Sequence, residues 1–135
     1  MNITLELANE VIAAVQWRAQ YEGIAVACAV VDTGGNLVAF GRMDGANLIT
    51  IDTAIGKAFT AISIGADTVG LSAAIQPGAP LFGTGLTLAG SRSFVPYAGG
   101  LLLRSGDEVI GALGVSGAAS SEVDHEIGAP SAQLP

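Results

Sequence analysis

The chain has 135 residues, the size of one ordinary domain and long enough to bury a core, so a single domain over residues 1–135 is expected. Half of the residues are hydrophobic, 13% are charged and the net charge is −7 at pH 7. That balance, with the scatter of the basic residues Arg18, Arg42, Lys57, Arg92 and Arg104, excludes nucleic acid and an anionic membrane surface as partners. A surface so poor in charge predicts burial in a homo-oligomer of dimers or larger assemblies, because monomers seldom leave large apolar patches in water.

In chain order, Met1 to Glu6 lacks a basic segment followed by a long apolar run, so no signal peptide is read and a cytoplasmic location is expected. From Thr4 to Tyr21, Leu5, Ala8, Ile12 and Val15 recur at the spacing of one helical face, with Thr4 as N-cap and Gly23 as stop. The runs Ile24–Asp32 and Leu37–Met43 flank Thr33-Gly34-Gly35-Asn36 and predict a β-hairpin. Cys28, the one cysteine, lies in the first run and reads as a small core hydrophobe.

A second helix is expected from Ile51 to Gly65, capped by Thr50 and with Asp52 in its first turn, and a short third over Thr68 to Ile75. Gln76 to Ser93 is a long Gly- and Pro-containing loop, and its apolar part, Leu81 to Gly90, is a candidate cover for a pocket. Phe94–Tyr97 reads as a short edge strand, because Pro96 cannot donate to a ladder. Leu101–Arg104 and Glu108–Ser116 form a second hairpin, and the small residues of Val109 to Val115 predict the close approach of a backbone or ligand. Ser120–Ile127 closes the chain as a short helix. The sum is an α+β protein, an antiparallel five-stranded sheet with helices packed on it.

On a helical wheel, Ile51, Ile55, Ala58, Phe59 and Ile62 share one arc, the expected core face. Lys57, the only lysine, lies off it among Thr53, Thr60, Ala61 and Ile64, on a face that looks covered by a subunit or a ligand. Asp52 stands some 140° away around the helix, a poor counter-ion for it. Gly56, unfavourable mid-helix by roughly 1 kcal/mol relative to Ala, also suggests close approach. Lys57 either snorkels from an uncrowded surface or binds an anion, or acts as acid, base or nucleophile if desolvated. Arg42 and Asp44 end the first hairpin: either a solvated pair or a guanidinium positioned for a carboxylate.

Several stretches resemble one family in the same order. Val30-Val31-Asp32-Thr33-Gly34-Gly35-Asn36 through Arg42-Met43-Asp44-Gly45-Ala46 resembles the opening hairpin of the GlcG/HbpS haem-binding domains, which also occur as the C-terminal domain of PduO proteins. Ile51-Asp52-Thr53-Ala54 with Lys57-Ala58 is similar to its Asp-x-Ala-x-x-Lys-Ala helix. Pro96-Tyr97-Ala98-Gly99-Gly100 resembles its Pro-Phe-x-Gly-Gly turn, and Val109 to Gly117 its last strand, with the following acidic residue matched by Asp124. The resemblance implies a profilin-like layered fold, oligomeric assembly, and haem as the cofactor to test, with none certain. The haem ligands on offer are few: His125, which reads as solvated on an acidic helix, and the weaker Tyr97, Tyr21, Met43 and Cys28.

Gly83-Thr84-Gly85 opens no dinucleotide fingerprint, Gly114-Val115-Ser116-Gly117-Ala118 lacks the last glycine of a nucleophile elbow, and no His/Cys/Asp grouping has metal-ligand spacing. The leading expectation is a binding domain for a haem-like or other carboxylated small molecule. Its pocket is built from Arg42 and Asp44, Lys57, Tyr97, Gly99, Gly100, Ser116 and Asp124. The alternative is a cofactor-free isomerase or lyase of a small organic acid or a biosynthetic intermediate, with Arg42 orienting the substrate, Lys57 or Asp44 moving the proton and backbone N–H groups near Gly99 stabilising an enolate. A purely structural assembly subunit is the third.

Overall fold

The computed structural model describes residues 1–83 and 92–135 together with the backbone of residues 86–87. Helix α1 (Leu5–Tyr21) starts at the expected cap, where the Thr4 hydroxyl accepts the Leu7 N–H at 3.1 Å. Strands β1 (Ala27–Val31) and β2 (Leu37–Arg42) form the first hairpin, and Gly35 takes φ +80° in its turn. Helix α2 spans Ile49–Ile64 and stops at Gly65 in the left-handed region. It begins earlier than expected, and Thr50 is not its cap: the Thr50 hydroxyl donates to Asn47 O at 2.5 Å, and the cap residue Leu48 offers no side-chain acceptor.

Only a 3-10 turn, Thr68–Leu71, occupies the expected third helix. Strands β3 (Leu86–Thr87) and β4 (Ser93–Phe94) pair as a separate ribbon, so the strand expected over Phe94–Tyr97 does not belong to the main sheet. The pocket cover expected over Leu81 to Gly90 falls largely outside the described residues. Strands β5 (Gly100–Ser105) and β6 (Glu108–Ser116) form the second hairpin, helix α3 covers Ser121–Gly128, and β7 is Gln133–Leu134. The main sheet runs β2-β1-β6-β5-β7, antiparallel except where β7 lies parallel to β5, and β7 supplies its fifth strand.

The two faces of the sheet are filled differently. Towards α1 and α3 the core is branched and bulky: Val11, Ile12 and Val15 meet Val26, Cys28, Val30, Leu101, Leu103, Leu113 and Val115. Burying each such side chain fully contributes about 1.5–3 kcal/mol. Towards α2 the core is nearly all alanine, with Ala54, Ala58 and Ala61 against Ala27, Ala29 and Ala112. Small residues let the helix backbone lie directly on the sheet: a Cβ on Gly114 would collide with Ala54 O, and one on Gly100 with Lys57 O. The close approach expected over Val109 to Val115 is therefore that of α2.

This corrects the wheel. The inner face of α2 is Thr50, Ala54, Lys57, Ala58 and Ala61, whereas Ile51, Ile55, Phe59 and Ile62 are only partly buried along its flanks. Hydrophobicity alone favoured the bulky arc, but a helix seated this close to a sheet has room only for small side chains beneath it. Gly56 serves the same fit on another side, where a Cβ would press on the Val95 side chain.

Candidate functional site

Lys57 is the ninth residue of α2 and is 4% exposed. Its ammonium donates to Val115 O at 3.0 Å and to Asp124 Oδ2 at 2.9 Å, which leaves one N–H without a partner among the described residues. Asp124, on the first turn of α3, is buried to the same degree, and its Oδ1 accepts the Ala118 N–H at 2.9 Å. Burial pushes the Asp124 carboxyl above its ordinary range, against the pull of Lys57 and the Ala118 N–H in the other direction. Taking two charges out of water costs as much as their attraction returns or more, so stability alone does not explain the pair.

The turn preceding β5 holds the lysine from the other side. The Thr68 hydroxyl accepts the Gly100 N–H at 2.8 Å and donates to Tyr97 O at 2.7 Å, and Leu102 N–H donates to Asp67 Oδ1 at 2.8 Å. Gly99 takes φ +121°, and a Cβ there would lie 2.9 Å from Lys57 Nζ. Gly99 and Gly100 thus make room for Lys57 and its helix, and neither lines the cleft beside it.

Lys57 and Asp124 lie in the wall of a cleft of about 300 Å³. Thr50 and Thr53 line it from the start of α2, Val95 and Tyr97 from the segment before β5, and Ser116 to Ser121 from the end of β6 and the start of α3. The hydroxyls of Thr53 and Ser116 are bonded to each other at 2.6 Å. Two helix N-termini therefore face one small space, and that of α2 carries no side-chain cap. N-terminal N–H groups and the positive ends of the two dipoles favour an anion there. The wheel marked Thr53 as a neighbour of Lys57 on the covered face, whereas Thr50 and the Ala118–Ser121 backbone had no signal as cleft residues, because their place depends on how α2 and α3 converge.

Of the residues expected at the site, Lys57, Tyr97, Ser116 and Asp124 come together. Arg42 and Asp44 do not line the cleft: both are exposed, and Arg42 donates to Ala46 O at 2.9 Å, closing its own turn at the edge of the sheet. Asp52 is exposed in the first turn of α2 and makes no ion pair with Lys57, whose counter-ion is Asp124.

The candidate haem ligands are dispersed. Tyr97 stands at the rim of the cleft, 44% exposed. Tyr21 stacks on Trp17 at the far end of α1, with ring centres 5.8 Å apart. The Met43 sulfur accepts the Val26 N–H at 3.4 Å, and Cys28 is fully buried, its thiol pushed up to about 12 by burial. His125 is not the solvated side chain expected: it is half-buried, and its Nδ1 is closed off with no partner among the described residues. Among the described residues no three His, Cys, Asp or Glu gather as a metal site, and no helix is long and apolar enough to cross a membrane.

The family model described as "Haem degrading protein HbpS-like" matches residues 3–132. The chain belongs to the HbpS-like family. It is 39% identical over 115 residues to an uncharacterized 15.0 kDa protein of the dhaT-dhaS intergenic region of Citrobacter freundii, covering 85% of this chain and 80% of that one. It is 32% identical to the corrinoid adenosyltransferase PduO of the same organism over 94% of this chain, yet spans only 37% of that protein. Among solved structures, the PduOC:haem complex superposes with a TM-score of 0.82 at 32% identity, over 98% of this chain and 93% of that one. The expected α+β class, five-stranded sheet and family are those of the structure and its relatives.

Proposed function

We propose that this HbpS-like protein binds a small carboxylated molecule in the cleft above Lys57, between the N-termini of α2 and α3. The observation that carries this reading is the buried ammonium with one uncommitted N–H in a cleft that two helix dipoles make favourable to anions. The ligand's carboxylate accepts from Lys57 and the first-turn N–H groups, the Thr53 and Ser116 hydroxyls fix its orientation, and Tyr97 covers its apolar part.

Haem, the ligand named for the PduOC neighbour, carries carboxylates and is the first compound to test. The cleft fits it poorly: among the described residues Tyr97 is the one lining side chain free to ligate iron, and about 300 Å³ is the lower limit of ordinary small-molecule pockets. A smaller organic acid matches the donors present.

A second reading, isomerisation or elimination of such an acid, draws support from the raised Asp124 carboxyl beside Lys57, a pair able to take up and return a proton. Self-association belongs to the same proposal. It draws support from the exposed Trp17, Tyr21, Leu48 and Ile49, which the other described residues leave largely uncovered.

The test is calorimetric titration with propionate, glycolate and succinate, and haem titration followed at the Soret band, on the wild type and on Lys57→Met checked for folding by circular dichroism. Saturable binding of an acid that Lys57→Met weakens at least about tenfold supports the reading. It fails if no acid binds, or if a haem spectrum of the bound type survives Lys57→Met unchanged.

A further inference from the structure

A carboxylate that accepts the third N–H of Lys57 meets a second carboxylate at once. Asp124 Oδ2 already accepts from the same ammonium at 2.9 Å, and two oxygens held so by different N–H groups of one tetrahedral nitrogen stand about 4.7 Å apart. Lys57 and Asp124 are each 4% exposed, so little water screens the two oxygens from one another.

Among the described residues no further charged side chain offsets the crowding, and the partial charges of the α2 and α3 N-termini draw the ligand in without separating the two oxygens. Lys57 from α2 is the cation in contact, and Asp124 already offsets it. Cys28 from β1 faces Asp124 as a neutral thiol. Arg18 from α1 commits its guanidinium to Ile127 O and the Ser131 hydroxyl. Glu122, His125 and Glu126 share α3 with Asp124, Tyr97 stands at the cleft rim, and Arg104 of β5 and Glu108 of β6 are exposed. Two carboxylates in one confined site retain a proton between them, because the second ionisation is opposed by the first.

Resting on the binding function above, we propose that a carboxylate ligand enters the Lys57 cleft together with one proton from solvent, which it holds in common with Asp124. The charge then balances: ammonium, Asp124 carboxylate, ligand carboxylate and one proton sum to zero. The site therefore selects monocarboxylates, since a dianion leaves a charge uncompensated in the cleft. Asp124 acts as the proton-holding partner of the ligand, beyond its role in positioning Lys57.

The test is calorimetric titration of the full chain with propionate in two buffers of different ionisation enthalpy, which counts protons exchanged per ligand bound. The expected count is close to one above the carboxylate range, with Kd weakening about tenfold per pH unit. Asp124→Asn binds propionate with no proton uptake and a flat pH profile, whereas His125→Gln keeps both the uptake and the slope. Propionamide, which brings no charge, binds with no pH dependence. Propionate binding to the wild type without proton exchange overturns the proposal, as does uptake that persists in Asp124→Asn or vanishes in His125→Gln. If Asp124→Asn does not fold, the wild-type proton count decides alone. Binding of succinate but not of propionate overturns the proposal, whereas absence of binding by propionate, glycolate and succinate alike refutes the binding function itself, a separate result.

Discussion

Replacing Lys57 by Met keeps most of the side-chain volume and removes the ammonium, so it isolates the charge. Two groups lose their partner: Val115 O loses a donor, and Asp124 keeps only the Ala118 N–H while still 4% exposed. Breaking a buried pair from one side costs about 3–5 kcal/mol, because the remaining charge is left in a poor solvent. In a chain of 135 residues that is roughly 10–18 °C in Tm. The loss depends on pH. Burial already raises the Asp124 carboxyl and Lys57 opposes it, so in Lys57→Met it rises further. A carboxyl raised in the folded state contributes stability that is full below its unfolded value and lost as pH rises through the folded value. The deficit of Lys57→Met is therefore greatest at neutral and alkaline pH and shrinks towards the ordinary carboxylate range. Adding Asp124→Asn removes the stranded charge while keeping an acceptor for Ala118 N–H, and restores at least half of the loss. Urea denaturation from about pH 8 to pH 5 measures all three quantities. A deficit below about 1 kcal/mol, or one that does not change with pH, refutes the description of the pair as buried and mutually dependent.

Three further outcomes follow from packing and hydrogen bonding. Gly114→Ala should destabilise by about 3 kcal/mol or more, since the new methyl meets the α2 backbone at Ala54 rather than a movable side chain; chemical denaturation checks this. Arg18→Met frees Ile127 O and the Ser131 hydroxyl and should cost roughly 1–3 kcal/mol, with amide exchange accelerating first in α3 and the turn after it. Arg42→Ala should change the Kd for any acid that binds the Lys57 cleft by less than about twofold, because its guanidinium closes the turn at Ala46; a tenfold loss places Arg42 in the site after all.

The buried pair also explains why the site belongs to this fold. A lone ammonium under the sheet-facing side of α2 is costly, and Asp124 makes it tolerable while the α3 N-terminus is brought to the same place. The cleft is thus assembled where the helices on the two faces of the sheet meet at the end of β6, with Val115 and Ser116 between them.

Local chemistry settled much of this protein. The 3.6-residue spacing and the Thr4 cap place α1, the glycine turns place both hairpins, Gly65 ends α2 and Ser120 starts α3, because each rests on interactions within a few residues. The motif order also marked Lys57, Tyr97, Ser116 and Asp124, four of the side chains that line the cleft. The tertiary structure decided what depends on partners distant in sequence. Which face of α2 points inwards follows from the glycines and alanines of β1, β5 and β6, which admit a helix only on its small side chains, so the most hydrophobic arc was displaced to the flanks. Strand β7 has two residues and no periodicity of its own; it forms because β5 offers it an edge. Arg42 and Asp44 carry suitable chemistry, but both are exposed at the end of the edge strand β2 and neither lines the cleft. Lys57 and Asp124, separated by 67 positions, meet only because α2 and α3 close on the same end of β6.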